Sequence, residues 1–185
     1  MPKYNRCCFY PVSETWYFCR WLKYFLSFRN EYKTLTNVNG GGKKIVIFFI
    51  DGKTIHGGLS DRLRGLFSTY YYCLKEGIDF KVFWTYPFNL QDYLEPNKVN
   101  WLIEGKAISH NKNEVAFRFF NSYSLMNNNE TSFLKIMNTK KHEIHVYSNI
   151  TLHEEMYHIF FNDLFKPSKM LSDALQYNTD KIGGK

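Results

Sequence analysis

The chain has 185 residues, of which 44% are hydrophobic and 19% aromatic, and a formal net charge of +7. This length and apolar content suffice for the packed core of one domain, which excludes disorder over the whole chain. Four cysteines without C-x-x-C spacing argue against a zinc site and for a reducing compartment. No signal peptide is recognised, and no stretch is apolar for the length of a membrane span.

The positive charge is concentrated near the amino terminus. Residues 1–44 hold eight Lys or Arg and two Glu, which is +6, so the other residues contribute +1. Within the predicted extension 1–43, the pattern over residues 11–30 indicates a helix with a wide aromatic side and a narrow basic stripe. Its aromatics could pack on the domain, or residues 13–30 could contact a membrane surface. Nucleic-acid binding ranks third because no recognised binding module frames these residues, so no nucleic-acid partner is predicted.

A βαβ unit begins directly after this extension. Residues 45–50 form an unbroken run rich in β-branched and aromatic residues, which is typical of a strand buried on both faces of a parallel sheet. Apolar residues then recur at spacings of three and four over 59–74, which predicts a helix that stops at Gly77. A second strand is predicted over 80–84, so the chain is expected to form an α/β domain with a parallel sheet.

The loop between the first strand and the helix contains His56, Gly57 and Gly58. Ligands of open α/β sheets bind at the carboxyl ends of the strands. Free backbone N–H groups and the helix dipole favour an anion such as phosphate there, and two glycines permit its close approach. Ser60 and Asp61 supply oxygens that can cap the start of the helix.

Two arginines, Arg62 and Arg64, add positive charge in the first turns of this helix, and arginine can bind phosphate through two parallel hydrogen bonds. His56 could bond a phosphate, assist a proton transfer or only brace the loop. Glycine-rich turns also occur simply to reverse the chain, so both interpretations of the loop stay open. The loop matches neither the dinucleotide G-x-G-x-x-G pattern nor the G-x-x-x-x-G-K-[ST] phosphate loop.

The middle of the chain is less regular. A short helix or turn is predicted over 89–94 and a brief strand over 99–103. Asparagine clusters indicate loops over 104–141, which is interpreted as an irregular insertion with a strand at 115–120. Residues 143–148 predict the next strand of the core sheet.

Two helices are predicted toward the carboxyl terminus. Thr151 is expected to cap a helix over 152–164. Pro167 then interrupts the chain, and Ser168 is expected to cap a final helix over 169–177.

Several polar and aromatic side chains follow the predicted strands. Trp84 and Tyr86 could stack on a sugar or base, although filling the core is the favoured interpretation, and Asn149 also falls at the carboxyl end of a strand. Four histidines invite a metal interpretation: His142, His145, His153 and His158. Their spacings do not place pairs of ligands on one helical face, so no metal site is predicted.

The segment HGGLSDRLRG, followed by IDFKVFWTYPFNLQDYLEPN and IHVYSN, resembles the amino-terminal half of a fucosyltransferase-like glycosyltransferase. This group includes the α-1,2-, α-1,6- and protein O-fucosyltransferases, whose first strand is followed by a loop of the type G-G/L-G-N/D-[QR]-hydrophobic. The resemblance implies two Rossmann-like domains facing a cleft (a GT-B-type fold), a GDP-sugar donor as substrate, a glycan acceptor and no required metal or cofactor. The donor-binding residues predicted for this chain are His56, Gly57, Gly58, Asp61, Arg62 and Arg64.

The family also carries a strand ending in H-x-R in its second half, and this sequence contains no such motif. The expected protein is therefore a Rossmann-like domain over 44–185, one half of the fold of an enzyme that transfers sugar in polysaccharide biosynthesis. Whether the chain is a fragment, inactive as given, stays open. No catalytic residue is assigned. The alternative is a non-catalytic remnant or a membrane-associated interaction module with the same fold. The expected location is cytoplasmic, with peripheral attachment to the inner face of the membrane left open.

Overall fold

A computed structural model describes residues 44–54, 57–120 and 130–183 of the chain. The predictions made for the extension 1–43, including its helix and its membrane contact, lie outside these residues. The prediction for His56 lies outside them as well. Within the described ranges, no helix combines the length and the apolar character needed to cross a bilayer.

Two sheets organise the described chain. Its strands are β1 Ile45–Ile50, β2 Asp79–Trp84, β3 Leu94–Pro96, β4 Val115–Phe120, β5 Glu143–Ser148 and β6 Phe165–Pro167. Four of them form the main sheet in the order β2-β1-β5-β4, and every neighbouring pair is parallel. The other two, β3 and β6, form a small antiparallel ladder. The predicted α/β fold with a Rossmann-like parallel sheet is therefore confirmed.

Four α-helices accompany the strands: α1 Leu59–Glu76, α2 Glu130–Met137, α3 Tyr157–Leu164 and α4 Lys169–Gly183. The predicted unit of strand, loop, helix and strand corresponds to β1, α1 and β2 within two residues at each boundary. The carboxyl end of α1 is capped by Gly77 at φ 63°, and the N–H of Ile78 donates to the carbonyl of Cys73 at 2.9 Å. This left-handed cap is the reason that the helix stops where the sequence predicted.

One face of the main sheet, which we call the helix face, holds the larger core. Alternate residues of the strands, among them Phe48, Val82 and Val146, pack there against Leu66 of α1 and Phe160 of α3. The pattern follows from the pleat of the strands, which sends successive side chains to opposite faces. All five side chains are almost fully buried.

The opposite face, which we call the second face, is smaller and more aromatic. Phe49 and Tyr147 lie 5.3 Å apart in a stacked arrangement, and Tyr147 stacks on Phe119 at 4.9 Å. Ile103 and Ile108, from the segment between β3 and β4, pack against this cluster. Among the described residues, the chain that packs on the second face between β3 and β4 is therefore mostly irregular.

The region 104–141, predicted as an insertion, contributes directly to the domain. Its strand β4 is the outer strand of the main sheet and pairs with β5 over the whole of its length. Within the same region, Phe133 and Met137 of α2 are buried in the core of the helix face. The strand expected at 115–120 is thus confirmed, as part of the central sheet.

Two smaller predictions are corrected by the structure. Residues 99–103 form only an isolated bridge, between Val82 and Leu102, rather than a strand. Thr151 does not cap a helix, because a left-handed residue, His153 at φ 55°, interrupts the chain before a single 3-10 turn and α3. The turn predicted at 89–94 is confirmed as a 3-10 helix, Leu90–Asp92.

Candidate functional site

The candidate site lies where the loop after β1 meets the first turn of α1, at the carboxyl edge of the main sheet. Asp51 begins this loop, and its carboxylate accepts hydrogen bonds from the N–H of Lys53 at 3.0 Å and the hydroxyl of Tyr147 at 3.2 Å. Gly52 follows at φ 75°, a left-handed conformation that favours glycine. A side chain at Gly52 would also approach the ring of Tyr86 to 2.8 Å. The loop is thus held against the chain that follows β2.

The amino terminus of α1 is capped from within the helix. Gly58 is the cap residue, and its N–H donates to the Asp61 carboxylate at 3.2 Å. The oxygen predicted from Asp61 is confirmed, whereas Ser60 lies inside the first turn and is not the cap residue. A carboxylate at this position interacts favourably with the helix dipole and supplies the negative charge that such a turn attracts. Gly58, Leu59 and Ser60 are nevertheless exposed.

The two predicted glycines differ in their surroundings. A Cβ added to Gly57 would lie only 2.1 Å from the Asp61 carboxylate, whereas a Cβ added to Gly58 would meet nothing within 4 Å. Gly57 is therefore needed for the Asp61 side chain to fold back onto the loop. The sequence suggested that both glycines permit the close approach of a ligand. At Gly57, the group that approaches closely is the side chain of Asp61 in the same segment.

Arg62 connects the two loops at the edge of the sheet. Its Nε donates to the carbonyl of Gly57 at 3.0 Å, and an Nη donates to the carbonyl of Tyr86 at 3.0 Å. The guanidinium also lies 5.8 Å from the centre of the exposed Tyr86 ring. Both hydrogen-bond acceptors are neutral carbonyls, and no carboxylate of the described residues forms an ion pair with Arg62. Its charge is therefore oriented by these two carbonyls, and the described part of the chain supplies no counter-charge to it.

Arg64 has a different electrostatic environment. Its guanidinium lies 3.6 Å from the Asp61 carboxylate and 3.4 Å from the carboxylate of Glu154, which precedes α3. Two acidic partners compensate its charge, although all three side chains are partly exposed to solvent, which weakens such pairs. Glu154 lies in the 3-10 turn before α3, so its contact with Arg64 depends on the packing of the chain after β5 against α1.

A groove runs beside this ion pair, between α1 and the start of α3. It has a volume of about 650 Å³ and is lined by Leu59, Ser60, Leu63, Arg64, Phe67, Glu154 and Tyr157. Burial raises the pKa of Tyr157 above its ordinary value of 10.0. Leu59 remains 53% exposed at the mouth. The groove therefore joins an apolar floor to the charged edge that Arg64 and Glu154 form.

The aromatic residues after β2 have separate roles. Trp84 is buried and stacks on Phe88 at 6.1 Å, so it fills the core as the favoured interpretation predicted. Tyr86 is 51% exposed and lies beside Arg62. After β5, the N–H of Asn149 donates to the carbonyl of Phe120 at 3.2 Å, which extends the pairing of β5 with β4.

The histidines do not converge on one point. His145 is fully buried on the second face against the Glu143 carboxylate, whereas His153 lies at the surface near Glu130 and Glu155. Burial lowers the pKa of His145 below its ordinary value of 6.5. Across the described ranges there is no group of three His, Cys, Asp or Glu side chains placed to hold a metal ion.

The structure thus brings together Gly57, Gly58, Asp61, Arg62 and Arg64 at one edge of the sheet. The partners that sequence reasoning missed are Gly52, the carbonyl of Tyr86, and Glu154. The available signal for Gly52 was a glycine two residues after the end of a buried strand. Comparison of the chain with protein-family models, with curated proteins and with solved structures found no match.

Proposed function

We propose that this chain is the amino-terminal, Rossmann-like half of a fucosyltransferase-like glycosyltransferase. The reaction is transfer of a sugar from a GDP-sugar to a hydroxyl of a glycan acceptor, with inversion at the sugar carbon. The local resemblance over Gly57 to Leu63 supplies the donor and the reaction. The chain taken alone is expected to bind the donor without completing the transfer, because the H-x-R motif of the second half is not in the sequence.

One observation carries the proposal: the guanidinium of Arg62 is oriented beside the exposed first turn of α1, and none of the described carboxylates pairs with it. Carbonyl oxygens of two different loops hold the guanidinium in place. Such a pre-oriented cation loses little side-chain freedom on binding an anion, and charge-assisted hydrogen bonds to phosphate are among the strongest in proteins. The helix dipole adds to the attraction for a pyrophosphate at the same edge.

Two neighbouring residues modify this attraction for an anion: Asp61 weakens it, and Arg64 adds to it only slightly. Asp61 already accepts the N–H of Gly58, so the backbone donors left for a ligand include those of the exposed residues Leu59 and Ser60. Arg64 is paired with two acids and contributes less positive charge than Arg62. In this proposal Arg62 is the principal donor-binding residue, and Arg64 mainly shapes the adjoining groove.

Calorimetric titration with GDP-fucose tests the proposal. We expect binding by the full chain, with affinity reduced roughly tenfold or more in Arg62→Gln, because a hydrogen bond to a charged group contributes about 1.5–3 kcal/mol. Glutamine retains donors for the loop carbonyls while removing the charge, and thermal unfolding checks that the loop remains folded. Lys106→Gln is the matched control, because it removes one charge at a side chain that is 84% exposed and forms an ion pair with Glu104, away from the candidate site.

A chain that releases no heat with GDP-fucose, or an Arg62→Gln variant that binds as tightly as the parent, contradicts the proposal. Either result favours the second candidate, a non-catalytic interaction module that retains the fold. The observation in its favour is that carboxylates already occupy part of the site, at Asp61 and Glu154. The membrane-associated form of this candidate predicts that the full chain sediments with anionic vesicles but not with zwitterionic vesicles, because residues 1–44 carry +6.

A further inference from the structure

Tyr86 is an aromatic residue at the carboxyl edge of the main sheet that does not pack into the core. It follows the end of β2 by two residues and is 51% exposed, whereas Trp84, the last residue of that strand, is buried. Single exposed aromatic residues are ordinary on protein surfaces, so exposure alone assigns no role to Tyr86. The contacts that hold this residue in place are what distinguish it.

The backbone at Tyr86 is bonded both to the end of β1 and to α1. The N–H groups of Thr85 and Tyr86 donate to the carbonyl of Ile50, at 2.8 and 3.1 Å. The carbonyl of Tyr86 accepts a hydrogen bond from Arg62 at 3.0 Å. The ring therefore projects from backbone whose donor and acceptor are both engaged, which reduces the freedom that is lost when a ligand binds.

The ring of Tyr86 lies against Gly52 in the loop after β1. A Cβ added to Gly52 would be 2.8 Å from Cγ of Tyr86 and 3.0 Å from Cδ2, so a larger residue there would displace the ring. Gly52 also has a φ of 75°, which glycine adopts without strain. This loop thus leaves room for the ring and supports it, while about half of the tyrosine stays accessible to solvent.

Arg62 lies beside the accessible ring. The central carbon of its guanidinium is 5.8 Å from the ring centre. The guanidinium donates to two carbonyls and pairs with none of the described carboxylates. A group that can bond phosphate and a supported aromatic ring are therefore close enough for one small molecule to contact both. A phosphate joined to a planar ring, as in a nucleotide, matches this combination.

We propose that Tyr86 stacks on the base of a nucleotide whose phosphates are bound by Arg62. This inference rests on the proposed function, and it assigns the guanine of the GDP-sugar to the Tyr86 ring. Every base has a π-face, and stacking on an aromatic side chain strengthens binding by roughly fivefold to more than a hundredfold per base. The base is the largest planar group of this donor, so it gains more from a flat ring than the sugar does.

Calorimetric titration of the full chain with GDP and with inorganic pyrophosphate tests this role. We expect GDP to bind more tightly than pyrophosphate. Tyr86→Leu should weaken the binding of GDP at least fivefold and change that of pyrophosphate less than twofold. Tyr86→Phe retains the ring and should bind GDP within twofold of the parent chain. Equal weakening of both ligands in Tyr86→Leu would show that Tyr86 only braces Arg62, which overturns the stacking.

Tyr177 on α4 provides the matched control. It is 58% exposed, and the ammonium of Lys181 lies 4.4 Å from its ring centre, so it is also an exposed tyrosine beside a cation. It lies outside the candidate site, and Tyr177→Leu should leave the affinity for GDP within twofold. Equal losses of affinity in Tyr86→Leu and Tyr177→Leu would show that the effect is not specific to Tyr86, and would overturn the assignment.

Proton NMR of GDP gives a second readout, which does not depend on measurable binding of pyrophosphate. The H8 resonance of a guanine that stacks on an aromatic ring moves upfield because of the ring current. We expect this shift with the parent chain and with Tyr86→Phe, but not with Tyr86→Leu, and circular dichroism checks that each variant is folded. Binding of GDP by the parent chain without an upfield shift overturns the stacking.

The outcomes separate this inference from the proposed function. Binding of GDP-fucose that depends on Arg62 but is unchanged in Tyr86→Leu overturns the stacking alone. If Tyr86→Leu weakens fucose 1-phosphate as much as GDP, the sugar contacts the ring and the assignment of the base is overturned. Binding of GDP that depends on Tyr86, with no binding of GDP-fucose, overturns the transferase and supports a nucleotide site. A chain that binds neither ligand overturns both.

Discussion

The two faces of the main sheet are built on different principles. On the helix face, the backbone of α1 at Gly65 lies very close to the backbone of Ser148 at the end of β5. Hydrogen bonds of Ser68 also connect α1 to the chain after β5. On the second face, a buried ionisable pair, Glu143 and His145, joins β5 to the irregular segment before β4. The helix face therefore depends mainly on shape, whereas the second face depends on protonation state as well.

Gly65 is the point at which the helix face is most sensitive to a change of shape. A Cβ at this residue would lie 1.9 Å from the carbonyl oxygen of Ser148. We expect Gly65→Ala to reduce the free energy of unfolding by about 3 kcal/mol, because α1 must move off the sheet to relieve the overlap. Urea denaturation measures the change. Gly58→Ser in the same chain should be nearly neutral, since a side chain there meets open space.

Ser68 provides a smaller test of the same face. Its hydroxyl is fully buried, lies 2.8 Å from the carbonyl oxygens of Arg64 and Ile150, and accepts the N–H of Leu152 at 2.9 Å. Ser68→Ala should cost about 1–3 kcal/mol of unfolding free energy, because it leaves the N–H of Leu152 buried without this acceptor. The exposed Ser172 serves as the control, with a change within about 0.5 kcal/mol on replacement by alanine.

His145 tests the second face through pH. Its folded-state pKa is lowered by burial, so below about pH 6.5 the unfolded chain binds a proton that the folded chain rejects. The contribution to stability is complete above about pH 6.5 and falls as the pH decreases, by at most about 1.4 kcal/mol per pH unit. The free energy of unfolding measured between pH 7.5 and 5 should therefore fall less steeply in His145→Gln than in the parent chain.

The exposed His158 is the matched control for this measurement, because His158→Gln also removes a histidine but leaves the buried pair of Glu143 and His145 intact. The geometry around His145 explains why the folded chain favours its neutral form. The Nε2–H of His145 donates to Glu143, while Nδ1 has no hydrogen-bond partner among the described residues and lies among the rings of Phe49 and Phe117. A second proton at Nδ1 would be a buried donor without an acceptor. Equal slopes in the parent and in His145→Gln would show that the second face does not respond to pH through this residue.

The amino-acid sequence by itself determined the elements whose signal is local. The apolar run at 45–50, the helical spacing of α1 with its stop at Gly77, and the strand at 143–148 all have their predicted form. Such patterns indicate which side of an element is buried, and they can be recognised from neighbouring residues alone. The parallel α/β architecture follows from their order along the chain.

Only the tertiary structure determined which contacts the residues of the candidate site make. Arg62 and Arg64 are two residues apart and look equivalent in sequence, yet one bonds neutral carbonyls and the other pairs with acids. Two of these partners, Tyr86 and Glu154, come from chain that follows β2 and β5, so their proximity depends on how the strands are ordered in the sheet. The same dependence made β4 a strand of the central sheet, because its place beside β5 is set by packing between distant residues.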